Sequence, residues 1–207
     1  LYKQILISLR LNPQLKNVKL HIRSQIDFAT ILYQKGLYKQ SLKILDKAKS
    51  FALKYDENTS AYEIVEFEKL IESLYVTRSL SNRTYELVSQ TNHLKEQNDI
   101  NSNLSNISLQ LYEKLIKAGY AKSDTESKEI QKFFSQKIQN FKLESLGFRE
   151  KLIYYQIWVW YSLLVQDFLS SYKYASKWID TFNKNPEMIK VHPVFYLKGY
   201  NFLLEAL

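Results

Sequence analysis

Only four glycines and three prolines punctuate this chain of 207 residues, and that scarcity limits the fold more than any other feature. Sheet-rich domains reverse direction often, and their turns draw heavily on both residue types. A chain that has so few of them is expected to consist of helices joined by polar loops. The same scarcity removes the glycine-rich phosphate loops of nucleotide-binding folds. Cysteine is absent, which excludes disulfides, zinc–thiolate sites and thiol nucleophiles together. The length suits one sizeable domain or a handful of two-helix repeats of about 34–45 residues.

The most legible stretch runs from Ser24 to Lys54. Ile26, Ala29, Leu32 and Tyr33 recur at helical spacing, and Gly36 stands where a glycine ends a helix. A second helix is expected from about Tyr38, with Leu42, Leu45 and Ala48 on one face and Lys39, Lys43 and Lys47 in a stripe on another. A lysine stripe of this kind reads as a solvated face before it reads as a phosphate grip. Near the C-terminus, Ser170 to Ile179 parallels Gly36 to Leu45, with Tyr172, Ala175 and Ile179 answering Tyr38, Ser41 and Leu45. The preceding helix, about Phe148 to Asp167, then needs one extra residue in its turn, after which Ser162 answers Ala29 and Val165 answers Leu32.

This pattern resembles the tetratricopeptide repeat. Ala29, Ser41 and Ala48 fall where that family places small residues at the crossing of its paired helices. Phe28, Leu32, Tyr38 and Leu45 match its large positions, and Gly36 matches its turn glycine. Small side chains matter there because two helices approach to about 8–10 Å only where the side chains between them permit it. Ser41 departs from the usual Ala, and Leu53 stands where a terminal Pro is common. The match covers one repeat well and the Ser170 region less closely.

The intervening units are degenerate. Ile64, Phe67, Leu70, Ile71 and Leu74 mark a helix from Ser60 to Arg78, and Asn82 to Gln97 is its expected partner. A further pair is expected over Asn101 to Lys117, closed by Gly119, and Asp124 to Lys142, with Asp124 as N-cap. The sequence thus predicts one domain over 1–207, with hairpins near 24–54, 60–98, 101–142 and 148–184. Partial helices are expected over 1–20, where Asn12–Pro13 looks like a helix start, and over 193–207. The chain opens on Leu1 rather than Met, so it reads as a fragment of a longer protein.

The net charge of +8 is unevenly spread. Residues 1–54 carry +9, residues 55–99 carry −5, and residues 100–207 carry +4. This alternation suits neighbouring repeats whose edges attract, and it disfavours a nucleic-acid surface. Leu152 to Leu169 is strongly apolar, but Gln156, Gln166 and Asp167 interrupt it, so a buried helix is expected rather than a membrane span. Tyr154, Tyr155, Trp158, Trp160 and Tyr161 crowd that helix on all sides, which also points to burial. Asn-x-Ser/Thr sequons at Asn58, Asn82, Asn103 and Asn106 are what an Asn- and Ser-rich composition produces.

No catalytic, cofactor or metal site is expected. His21, His93 and His192 stand on different units without metal-ligand spacing. Glu63, Glu66, Glu68 and Glu72 share one helix, where a salt-laced packing edge outweighs paired-carboxylate chemistry. The resemblance implies an all-α, right-handed α-α superhelix of about four antiparallel hairpins, with first helices lining a concave face. On that basis the partner-facing residues are Arg23, Ile26, Thr30, Tyr33 and Gln34 in the first hairpin. In the fourth they are Gln156, Val159, Leu163 and Gln166. The implied function is a non-catalytic scaffold for a protein or peptide. The alternatives are a sensing or oligomerising region of a larger regulator, whose effector domain lies outside this chain, and an RNA-binding helical repeat. The sequence leaves the oligomeric state and the compartment open, with the cytoplasm slightly favoured.

Overall fold

The structure is a computed structural model that describes residues 17–75 and 82–206, together with residues 2, 4, 5 and 8. All regular structure among the described residues is helical. The chain divides into two compact units, Leu1–Lys95 and Glu96–Leu207. The expected helix start at Asn12–Pro13 lies outside the described residues, as does Arg78.

The first unit contains α1 (Val18–Gln34), α2 (Tyr38–Lys54) and α3 (Asn58–Leu74), with the opening turns of α4 (Arg83–Ala118). α1 begins six residues before the expected Ser24, because the Asn17 side chain caps it by accepting a hydrogen bond from the Leu20 amide at 3.2 Å. Residues 18–20 therefore open this helix instead of closing an earlier one. α1 packs on α2 and α2 on α3. Ala29, Ser41 and Ala48 are all buried, and the Ser41 hydroxyl of α2 donates to the Ala29 carbonyl of α1 at 2.8 Å. Ile22, Leu42, Leu45, Ala61, Ile64 and Ile71 form the core beneath them. Leu70 and Leu74, expected on the apolar face of α3, point outward, and Ala61, Val65 and Glu68 take the inward positions.

The second unit takes the remainder of α4 and adds α5 (Asp124–Ile138), a 3-10 turn at Leu143–Ser145, and α6 (Phe148–Leu164). α7 (Phe168–Asn183), α8 (Glu187–Val191) and α9 (Pro193–Glu205) complete it. The cap of α5 is Ser123 rather than Asp124. Its hydroxyl accepts from the Glu126 amide at 3.3 Å, while Glu126 reaches back to the Lys122 amide at 2.8 Å. α6 packs on α7 and α7 on α9. Leu152, Ile157, Val159, Leu164, Trp178 and Phe182 are fully enclosed. Of the crowded aromatics on α6, Tyr155 and Trp160 are buried and Tyr154, Trp158 and Tyr161 half-buried, so they do surround the helix as expected.

Where two helices with an intervening turn were expected near 97–101, α4 continues unbroken from Arg83 to Ala118. No Gly or Pro occurs between those positions, so nothing in the backbone chemistry stops the helix. It ends instead at Gly119, which takes φ +68°.

One turn geometry occurs three times, at Gly36, Asp56 and Gln166, each with φ between 57° and 75°. In each, the next amide bonds back across the helix end: Leu37 to Leu32, Glu57 to Ala52, and Asp167 to Ser162, at 2.8–2.9 Å. This is the Schellman closure, which satisfies carbonyls that the helix leaves open. Aligning the turns places Gln166 opposite Gly36 and Ser171 opposite Ser41. The expected extra residue is therefore absent, and Val159, not Ser162, occupies the position of Ala29. Space around Gly36 is open, so Gly36→Ala is expected to cost about 1 kcal/mol through backbone strain alone. A shift of the urea midpoint with an unchanged slope would register it.

Candidate functional site

The sequence-predicted positions on α1 separate into three environments. Ile26 is buried and belongs to the core. Thr30 turns its hydroxyl to the Ile26 carbonyl at 2.9 Å. Arg23 and Gln34 are exposed, and the Arg23 guanidinium is held by both carboxylate oxygens of Glu63 on α3, at 2.7 and 2.8 Å. Tyr33 is half-buried in an aromatic group with Tyr38, Phe67 and Tyr75, in which Tyr38 and Tyr75 stack at 3.6 Å. Hydrogen bonding to Tyr75 pushes the Tyr33 and Tyr38 phenols above their ordinary value.

On α6 the expectation is corrected more strongly. Gln156 and Val159 are buried, because the turn register rotates them into the helix pair. They are packing residues and present nothing to a partner. Leu163 is half-buried. Gln166, in the left-handed turn position, donates from Nε2 to the Ala121 carbonyl at 2.9 Å, while the Ala121 amide donates to Leu164. Gln166 thus fastens the segment after α4 to the α6–α7 turn.

The four glutamates of α3 are all paired with cations. Glu63 meets Arg23, Glu66 meets Lys69, Glu68 meets Lys49 and Arg83, and Glu72 meets Arg83. Glu68 lies wholly inside the first unit, at 2.5 Å from Lys49 and 3.2 Å from Arg83. Burial raises its carboxyl to about 7 against the opposing pull of Lys49. Lys49 also donates to Gln90 at 3.1 Å, so this cluster joins α2, α3 and the start of α4. The pairing carries the charge alternation seen in the sequence across helix contacts inside the first unit. His192 is half-buried beside Phe148, and its partial burial lowers its imidazole to about 4. Among the described residues no cluster of His, Cys, Asp and Glu is arranged to hold a metal ion, and no helix is long and apolar enough to cross a membrane.

A cleft inside the second unit involves none of the predicted positions. It encloses about 750 Å³ between the α4 face at Ile100–Gln110 and the α5 end with its following turn, Gln136–Leu146. Five carboxamides line it: Asn103, Asn106, Gln110, Gln136 and Asn140. Lys137 and Lys142 add positive charge, no carboxylate lines the cleft, and Ile100, Ile107, Phe141 and Leu146 supply apolar surface. Among the described residues none of the five amide side chains is engaged in a hydrogen bond, and neither lysine is in an ion pair. Each carboxamide offers donors and an acceptor together, which is the complement of a peptide group. Asn103 and Asn106 stood in the sequence only as sequons. Their spacing of three, continued by Gln110 at four, is the signal that places them on one helical face.

A scan against protein-family models finds none that matches this chain, and comparison with curated proteins and with solved structures returns no match.

Proposed function

We propose that the chain is a non-catalytic protein–protein interaction scaffold, built from helical hairpins of the tetratricopeptide kind, that binds an extended peptide segment of a partner. The observation that carries this reading is the cleft of the second unit. Its unengaged amides suit main-chain peptide groups, its lysines favour acidic side chains, and its apolar floor accepts a hydrophobic one. The hairpin assignment is supported by the burial of Ala29, Ser41 and Ala48, by the Ser41–Ala29 hydrogen bond between α1 and α2, and by the turn that occurs three times.

The test uses the whole chain and a displayed library of short random linear peptides. Enrichment of acidic sequences is expected on the wild type. The double variant Asn103→Ala/Asn106→Ala is expected to bind them at least about tenfold more weakly, since each lost amide strands a peptide group. Both positions are exposed, so its helix content and melting temperature should match the wild type. Failure to enrich any peptide, or equal binding by the variant, would remove the cleft from consideration.

A further inference from the structure

A second surface of the same unit carries chemistry that the cleft does not use. On α4, Leu109, Tyr112 and Ile116 recur at spacings of three and four, so they share one face, and they are 67%, 44% and 67% exposed. The Tyr112 ring lies 4.9 Å from that of Trp160 on α6, and the Lys198 ammonium of α9 sits 4.7 Å over the same indole. Val194, one turn before Lys198, is 74% exposed. Tyr112 of the α4 strip and Lys198 of α9 thus meet on Trp160.

Lys198 is half-buried, and among the described residues no carboxylate pairs with it. Burial lowers its ammonium from the ordinary value, the direction expected of a cation without a counter-charge. Some other charged groups of α4 and α9 have partners of their own. Glu113 and Lys117 neutralise each other on α4, and Glu205 on α9 accepts a hydrogen bond from Asn201 at 2.6 Å. A single carboxylate would find in Lys198 a partly desolvated partner beside an aromatic ring. A row of apolar side chains at helical spacing is also the counterpart of another helix, whose ridges fit between them.

We propose that the exposed α4 strip at Tyr112, with Lys198 beside it over the buried Trp160, docks an amphipathic helix of a protein partner. The apolar face of that helix lies along Leu109, Tyr112, Ile116 and Val194, and one of its carboxylates sits on Lys198. This adds a second docking surface to the scaffold reading and does not depend on the cleft.

The experiment selects displayed, helix-forming peptides of randomised sequence on the whole wild-type chain and, in parallel, on Lys198→Glu. Wild-type selection is expected to enrich helices that have apolar residues at i, i+4 and i+7 and an acid at one fixed register position. Those helices should bind Lys198→Glu at least about tenfold more weakly, and a Lys in place of the peptide acid should restore affinity for it. Binding should persist in Asn103→Ala/Asn106→Ala, so failure of this surface and failure of the cleft are told apart. Lys198→Met, which keeps the stem, guards against a folding defect in the charge reversal. The proposal is overturned if no helix is enriched, if the enriched helices lack an acid, or if they bind Lys198→Glu as well as wild type. A wild-type dimer in sedimentation that Lys198→Glu dissociates would make the occupant a second copy and would also overturn it.

Discussion

Lys49→Met is expected to destabilise the first unit by about 3–5 kcal/mol at pH 8, because it leaves the Glu68 carboxylate buried with only Arg83 to answer it. The cost should fall as pH drops. The folded Glu68 carboxyl sits near 7, above the ordinary 4.5, so between those values the folded chain holds a proton that the unfolded chain has released. Folding then takes up that proton, and the contribution of this group to stability declines as pH rises through the window, by at most about 1.4 kcal/mol per pH unit. Below about 5 the group is neutral in the folded state, and Lys49→Met leaves no buried anion behind. Glu68→Gln is expected to abolish the pH slope. Lys49→Met/Glu68→Leu should recover most of the loss, since an apolar pair replaces a buried ion pair at little net cost. Amide exchange along α2 and α3 is the suitable probe, because all three tryptophans, Trp158, Trp160 and Trp178, lie in the second unit. A loss below about 1 kcal/mol at pH 8 would mean that the cluster is held by packing rather than charge, and a pH slope that survives Glu68→Gln would assign the proton uptake to another group.

The same residues show why some of this fold was legible in the sequence and some was not. The α1–α2 hairpin could be read because its turn uses the one residue type that announces a left-handed backbone. Asp56 and Gln166 hold the same conformation without glycine. Their helices were therefore placed two or more residues away from where they begin, and α7 was matched to α2 in the wrong register. That slip put Gln156 and Val159 on the partner-facing side, when a correct register turns them inward. Helix continuation was hidden for the opposite reason. The Asn- and Ser-rich stretch near Asn101 looks like a loop by composition, yet neighbouring apolar residues Leu94, Leu104, Ile107 and Leu111 each bury one side of α4 and keep it helical. Composition likewise disguised the cleft, since asparagine carries no sign of function until its neighbours in space are known. The glutamates of α3 were read as a salt-laced edge; all four are paired with cations, but Glu68 is fully buried. Periodicity did not show that Glu68 lies at the centre of the packed face, because a charged residue there counts against burial in any apolar pattern.

Trp178→Ala should cost the second unit about 3–5 kcal/mol, the loss typical of removing a large enclosed aromatic side chain. Trp178 is fully buried on α7, its ring centre about 6 Å from those of Phe195 and Phe202 on α9. α9 comes this close because Gly199 faces the indole. A Cβ built there would stand 3.2 Å from the indole ring and 2.9 Å from Cδ1 of Ile179. Gly199→Ala alone is therefore expected to cost about 1–3 kcal/mol by overpacking. In the Trp178→Ala background the same change should turn neutral or favourable, because the new methyl enters space that the indole has vacated and only the mobile end of Ile179 must move. The two substitutions are thus predicted to be strongly non-additive. The indole N–H finds no acceptor among the described residues, so Trp178→Phe should be much the milder change, losing ring volume but no hydrogen bond. Urea unfolding followed by far-UV dichroism measures the wild type and all four variants. Simple additivity of Trp178→Ala and Gly199→Ala would show that the glycine is not there to admit the tryptophan, and the close α7–α9 approach would then need another cause.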